Sequence, residues 1–99
     1  MHIAIAPFRL KDGIDQNELL TASDGFEEDF VSTQTGIIRR ILVKDDQGGF
    51  ADIVFFEDLA AIDRMLEAEQ NSDVCATFFS IMEDDDSHRV FEVLKVYES

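Results

Sequence analysis

Two histidines are the side chains in this sequence that most often act as catalytic bases or metal ligands. His2 begins the first predicted strand and His88 precedes the last one. Antiparallel pairing of those strands would set the two histidines at opposite ends, so they cannot share a metal within one subunit. Neither has a second ligand at metal spacing, and the sequence therefore predicts no metal and no cofactor. His88 is kept as a candidate catalytic base.

The other reactive side chains have structural explanations. Cys75 lies among apolar residues, which favours core packing over a nucleophilic role. The acidic run at residues 83–86 lacks the alternating ligands and central glycine of a calcium loop, and predicts a solvated loop. Tyr97, the single tyrosine, either binds a ligand through its hydroxyl or lies at the rim of a subunit contact. No phosphate loop, nucleotide-binding fingerprint or catalytic triad is present.

Composition excludes several classes of partner. The 99 residues predict a single domain spanning residues 1–99. Asp and Glu total 22 against 8 Lys and Arg, a net charge of −14 that opposes binding to nucleic acid or to an anionic membrane. One cysteine and an early charge in the N-terminal segment favour a reducing, cytoplasmic location without a signal peptide.

The order of predicted elements is strand, helix, strand, strand, helix, strand. Asp15 caps the first helix, with Glu18 three residues later as in a capping box. The predicted strands are residues 2–10, 37–44, 50–56 and 89–97, and a further helical piece at 74–82 follows the second helix, which begins at Glu57 or Asp58. This order predicts an α+β, ferredoxin-like βαββαβ fold, with a four-stranded antiparallel sheet and two helices on one face.

Two residues conflict with these elements. Pro7 removes a backbone donor from a strand that should be central, so a bulge or local break is expected there. Gly25 weakens the first helix by about 1 kcal/mol relative to Ala, which predicts strain or close packing at that position.

Both faces of the predicted sheet are apolar. Ile3 and Ile5 point to one side of the first strand, while Ala4, Ala6 and Phe8 point to the other. Two helices cover one face only, and leaving the second face bare would expose more apolar surface than monomers tolerate. A second copy related by a two-fold axis is the simplest cover, so the sequence predicts a homodimer.

The candidate ligand-binding residues are an aspartate and five phenylalanines. Asp52 shares a strand face with apolar residues, and a buried carboxylate there needs a cation, for which Arg40 or Lys44 is the natural candidate. Arg40 joins His88 and Tyr97 as a candidate catalytic residue. The phenylalanines either line a helix–sheet cavity for a small apolar or aromatic molecule or fill the core: Phe26, Phe30, Phe55, Phe78 and Phe79.

Three segments resemble the dimeric α/β-barrel superfamily, in its antibiotic-biosynthesis-monooxygenase-like branch. They are residues 22–40 (ASDGF through QTGIIRR), 52–57 (DIVFFE) and 75–79 (CATFF). The resemblance implies pairing of two ferredoxin-like sheets as a dimeric α/β barrel. It also implies a helix–sheet cavity and monooxygenase-like chemistry without a cofactor. A non-catalytic dimeric module that binds ligands or proteins is the alternative.

Overall fold

Five antiparallel strands form the sheet in the described part of the chain, and the helices cover one of its faces. The computed structural model describes residues 1–83 and 87–99. The strands are β1 (His2–Leu10), β2 (Ile37–Lys44), β3 (Phe50–Phe56), β4 (Met82–Glu83) and β5 (Arg89–Glu92). The helices are α1 (Gln16–Asp29), α2 (Leu59–Glu69) and α3 (Asp73–Phe79), and a 3₁₀ turn spans Val31–Thr33. The strand order is β2-β3-β1-β4, with β5 also paired to β1. The predicted ferredoxin-like α+β fold is confirmed.

Local signals in the sequence position α1 as predicted. The Asp15 carboxylate accepts a hydrogen bond from the Glu18 backbone N–H at 2.8 Å, which caps the helix. The face that carries Leu19, Ser23 and Phe26 is buried against the sheet. Phe30 follows the helix and is buried as well. The helix thereby fixes the row of side chains that faces the interior.

Helical spacing predicts a buried stripe of Leu59, Ile62, Leu66 and Glu69 on the second helix. The structure buries a row that shares only Ile62 with that stripe. Asp58 caps α2 through the Ala61 backbone N–H at 2.9 Å. Its buried residues are Ala61, Ile62 and Met65, whereas Leu59 and Leu66 are exposed. Apolar residues surround much of this helix, so periodicity alone left its orientation open. Close approach to Gly36 fixes the rotation, because a Cβ there would lie 2.7 Å from the Ala61 Cβ.

The last strand is shorter than the predicted residues 89–97. Strand β5 ends at Glu92, which pairs with His2 at the start of β1. The residues after Glu92 extend past the start of β1 and form no further strand pairs with it. One backbone hydrogen bond follows the last pair, from the Val93 N–H to the Met1 carbonyl. Leu94 and Tyr97 are consequently exposed. Residues 84–86 of the predicted acidic loop lie outside the described residues.

Pro7 does not interrupt pairing with β3. The register runs without irregularity from His2–Phe56 to Phe8–Phe50, and Pro7 lies opposite Ala51. The predicted bulge or local break at Pro7 is therefore wrong for the β3 side of β1.

Candidate functional site

A buried ion pair joins β2 to β3 beneath the helices. Arg40 lies opposite Val54, and Asp52 lies opposite Leu42, so the two charged residues are diagonal neighbours on one sheet face. The Arg40 Nε lies 3.0 Å from both carboxylate oxygens of Asp52. This confirms the prediction that Asp52 pairs with a strand cation. Lys44, the other predicted partner, instead donates to the Gln16 amide oxygen at 3.1 Å.

Helix α1 supplies the remaining acceptors for Arg40. The two terminal nitrogens of the Arg40 guanidinium donate to the Ser23 hydroxyl at 2.7 Å and to the Glu27 carboxylate at 3.4 Å. Only 6% of the Arg40 side chain is exposed. Burial raises the pKa of Asp52 above its ordinary value, and the Arg40 charge opposes that shift. Each nitrogen of the guanidinium thus contacts an acceptor within the protein.

Aromatic rings from two helices cover this ion pair. The Phe26 and Phe78 rings stack with centroids 4.3 Å apart, and the Arg40 guanidinium lies 4.9 Å from the first centroid and 5.5 Å from the second. Phe30 stacks on the other side, 5.5 Å from Phe26. Cation–π attraction and ring stacking therefore hold α1 and α3 over the charged group.

A cleft of about 290 Å³ lies between α1 and α3, beside the stacked rings. Its lining is mostly apolar and includes two predicted ligand-binding residues, Phe26 and Phe78. The residues that line it are Ala22, Gly25, Phe26, Asp29, Asp73, Val74, Thr77 and Phe78. A second cleft of about 330 Å³ lies against the β2–β3 turn, and no predicted site residue lines it. The cleft between α1 and α3, called the α1–α3 cleft below, is therefore the candidate ligand site.

Gly25 contributes open space to the α1–α3 cleft. A Cβ built on this residue would meet no atom within 4 Å. The predicted strain or close packing at Gly25 is therefore wrong. The position leaves room at the wall of the cleft without any backbone requirement for glycine, because its conformation is that of the surrounding helix.

The other predicted ligand-binding phenylalanines lie at different depths. Phe79 is 41% exposed and contacts the edges of Phe26 and Phe78. Phe55 is on the opposite sheet face, because it neighbours the inward-facing Val54 and Phe56 along β3. There it lies 5.9 Å from the Arg39 guanidinium. The expectation that Phe55 lines the helix–sheet cavity is corrected by this alternation.

Of the three candidate catalytic residues, only Arg40 lies in the interior. His88 is exposed just before β5. Tyr97 is 79% exposed, with the Lys95 amine 4.9 Å from its ring centroid. The structure brings neither residue to the Arg40–Asp52 pair. In the described residues, no group of three His, Cys, Asp or Glu side chains is placed to hold a metal ion.

Glu69 is the titratable group that the sequence reasoning missed. Burial at the end of α2, together with the charge of Asp52, raises its pKa to about 7 from an ordinary value of 4.5. The Cys75 thiol, fully buried nearby, has a pKa raised by burial and by Glu69. The signal for Glu69 was a carboxylate on the apolar stripe of a helix. Such a group titrates near neutral pH and can exchange a proton there.

Glu69 makes stability depend on pH. Because its folded pKa exceeds its unfolded pKa, the native state binds more protons between about pH 4.5 and 7, and stability falls as pH rises through that window. We expect Glu69→Gln to be more stable than the wild type at about pH 8, by roughly 1–2 kcal/mol after solvent screening, and equal to it at about pH 4. Urea unfolding across this range measures the difference.

The control for this experiment is Glu67→Gln, which changes an exposed carboxylate on the same helix. Its unfolding free energy should follow the wild-type pH profile. A Glu69→Gln profile parallel to that of the wild type would show that the Glu69 carboxyl titrates normally in the folded protein.

Solved structures of low sequence identity share this fold. The cofactor-independent oxygenase SnoaB from Streptomyces nogalater superposes with a TM-score of 0.72 at 13% identity, over 99% of this chain and 97% of that chain. A protein named after the antibiotic biosynthesis monooxygenases, from Nitrosomonas europaea, gives 0.71 at 14% identity, over 96% and 100%. Another, from Chloroflexus aurantiacus, gives 0.68 at 10%, over 98% and 96%.

No protein-family model matches the chain. No curated protein matches it either. None of the described helices is long and apolar enough to cross a membrane. The resemblance found in the sequence is confirmed as a shared architecture: the chain has the ferredoxin-like fold of the antibiotic-biosynthesis-monooxygenase-like proteins.

Proposed function

We propose that this protein is a homodimer that binds a small, largely apolar organic molecule in the α1–α3 cleft. The observation that carries the proposal is the cleft itself, about 290 Å³ with a mostly apolar lining that includes the rings of Phe26 and Phe78. Ligand sites in proteins are concave, mostly apolar and of about this size. The single cysteine is buried and unpaired, which supports a reducing compartment such as the cytoplasm.

The fixed arrangement around Arg40 favours binding over catalysis as the main function. Its guanidinium is buried and each of its nitrogens already contacts an acceptor, on Asp52, Ser23 or Glu27, so a substrate could reach it only after rearrangement. The rings above it are packed at van der Waals distance. Affinity for a ligand in the cleft therefore comes from apolar contact, which for a molecule of about ten heavy atoms gives dissociation constants near or below about 1 mM.

Filling the cleft from its wall tests the binding site. We expect 1-naphthalenemethanol to bind the wild type, and Gly25→Leu to weaken binding at least about tenfold, because the new side chain occupies the ligand's space. Naphthalene fluorescence measures binding directly, since the chain contains no tryptophan. Thr77→Leu, on the opposite wall, is a second blocking variant if Gly25→Leu folds poorly.

The matched control is Asn17→Leu, which adds a similar side chain to an exposed position of α1 outside the cleft. It should bind the probe as the wild type does. Equal binding by the wild type and both blocking variants would place the ligand elsewhere on the protein.

The sheet face turned away from the helices supports the homodimer. We call this surface the open face: its large apolar side chains are Ile3, Ile5, Ile41, Val43, Ile53, Phe55 and Phe91. Ile41 and Phe91 remain 36% and 37% exposed in the single chain. Arg39 and Arg89 lie on the same face and stack on its aromatic rings. A second copy of the open face would remove this apolar surface from water.

A charge at the middle of the open face should separate the subunits. We expect the wild type to sediment at micromolar concentration as two chains, twice 11.2 kDa. Ile53→Lys should sediment as one chain, because pairing would bury an unpartnered ammonium group. Leu66→Lys, at an exposed position of α2, is the control and should remain dimeric. A monomeric wild type would exclude the proposed pairing.

Monooxygenase-like turnover of the bound molecule is a second candidate function. The fold shared with SnoaB, a cofactor-independent oxygenase, supports it. The hypothesis predicts that naphthoquinols are oxidised faster with the protein than without it, and that Gly25→Leu abolishes the difference. Oxygen uptake measures this rate. If oxygen uptake with the protein is no faster than without it across a broad panel of quinols, the protein binds its ligand without catalysing its oxidation.

A further inference from the structure

Two carboxylates line a cleft whose other residues are apolar except for Thr77. Asp29, the last residue of α1, and Asp73, the first residue of α3, both line the α1–α3 cleft and both are exposed. Among the described residues, neither forms an ion pair, although those residues include every lysine and arginine of the chain. Their charges are therefore available to a molecule that enters the cleft.

The last turn of α1 places negative charge where it destabilises the helix. Glu27, Glu28 and Asp29 follow one another there, and no basic residue accompanies them. The carboxyl end of a helix already carries partial negative charge, so carboxylates at this end are unfavourable and cations are favourable. Glu27 contacts Arg40, whereas Asp29 faces the cleft without such a partner. A cation in the cleft would relieve the repulsion.

Gly25 lies one helical turn before Asp29, on the same side of α1. Glycine makes the helix less stable than alanine would at this position. Packing does not require a glycine there, because a Cβ would enter open space. The apolar room beside Gly25 and the unpaired charge of Asp29 are therefore adjacent. Together they match a molecule with an apolar body and a cationic end.

An anionic ligand has no comparable partner here. Arg40, the cation nearest the cleft rings, lies beneath Phe26 and Phe78 and contacts Asp52, Ser23 and Glu27. The lining of the cleft includes no lysine, arginine or histidine. The net charge of −14 also opposes the approach of an anion.

We infer that the ligand of the α1–α3 cleft carries an amino group or another cationic group, held at the rim by Asp29 and Asp73 while its apolar part contacts Phe26 and Phe78. This inference rests on the proposed binding function and specifies the ligand's charge. The cleft lies on the helical side of the sheet, opposite the open face, so pairing through the open face leaves it accessible to solvent.

Three naphthalene probes of similar size and different charge test the inference. They are 1-naphthylmethylamine, a cation at neutral pH, neutral 1-naphthalenemethanol and anionic 1-naphthoate. At low ionic strength we expect the wild type to bind the amine about five- to tenfold more tightly than the alcohol, and the carboxylate most weakly. Added salt should reduce the preference for the amine, because it screens exposed charges.

Paired variants separate the rim carboxylates from the general acidity of the protein. Asp29→Asn/Asp73→Asn should remove most of the preference for the amine, measured as the ratio of the dissociation constants for the alcohol and the amine. The control, Asp63→Asn/Glu67→Gln, removes the same net charge from α2, outside the cleft, and should keep the preference. If both double variants lose the preference equally, the attraction comes from net charge and the inference is overturned.

The remaining outcomes distinguish the inference from the proposed function. Equal affinity of the wild type for the amine and the alcohol, with both lost in Gly25→Leu, would overturn the cationic ligand and support the apolar site. Failure of all three probes to bind would overturn both. Preferential amine binding that survives Gly25→Leu and Thr77→Leu would place the cation site outside the cleft, and so would also contradict the inference.

Discussion

The charge of Arg40 inside the core is the constraint around which the helical side of this protein is arranged. A guanidinium group cannot lose its proton in a protein, so burial requires acceptors and polarisable neighbours in fixed positions. Asp52 on β3 accepts hydrogen bonds from Arg40, as do Ser23 and Glu27 on α1. The rings of Phe26 and Phe78 cover the planar guanidinium group. Dehydrating the Arg40–Asp52 pair costs free energy, so the pair adds little to net stability. Its main effect is to fix the positions of the elements around it. It fixes which faces of α1 and α3 meet the sheet.

The α1–α3 cleft follows from this arrangement. The two helices meet at the Phe26–Phe78 stack, where the rings hold them together. Toward the surface their small or short side chains, with Gly25 and Thr77 on opposite walls, do not fill the space between them. The cleft thus has a rigid aromatic wall and a rim of exposed side chains. A rigid wall preorganises apolar contact with a ligand, and the rim is free to determine its charge.

The sequence predicted the features that depend on local pattern or on a simple pairing rule. Asp15 caps α1, and Asp52 pairs with Arg40 as a buried strand carboxylate should. The predictions from sequence were wrong for features that are set by contact with a neighbouring element. The rotation of α2 is set by contact with Gly36, and the end of β5 is set by the start of β1. The open space at Gly25 is a property of two helices together, which a single helical pattern does not contain.

Phe55 and Phe26 illustrate how one residue type serves two surfaces. Strand alternation sends Phe55 to the open face, whereas helical spacing sends Phe26 to the interior beside the cleft. The sheet separates the surfaces, so substitutions on one face do not reach the other by direct contact. In the proposed dimer each cleft would therefore be built from one chain, with the partner's contribution limited to stability. Pairing would hide the open face and leave the two acidic rims on the outer sides of the assembly.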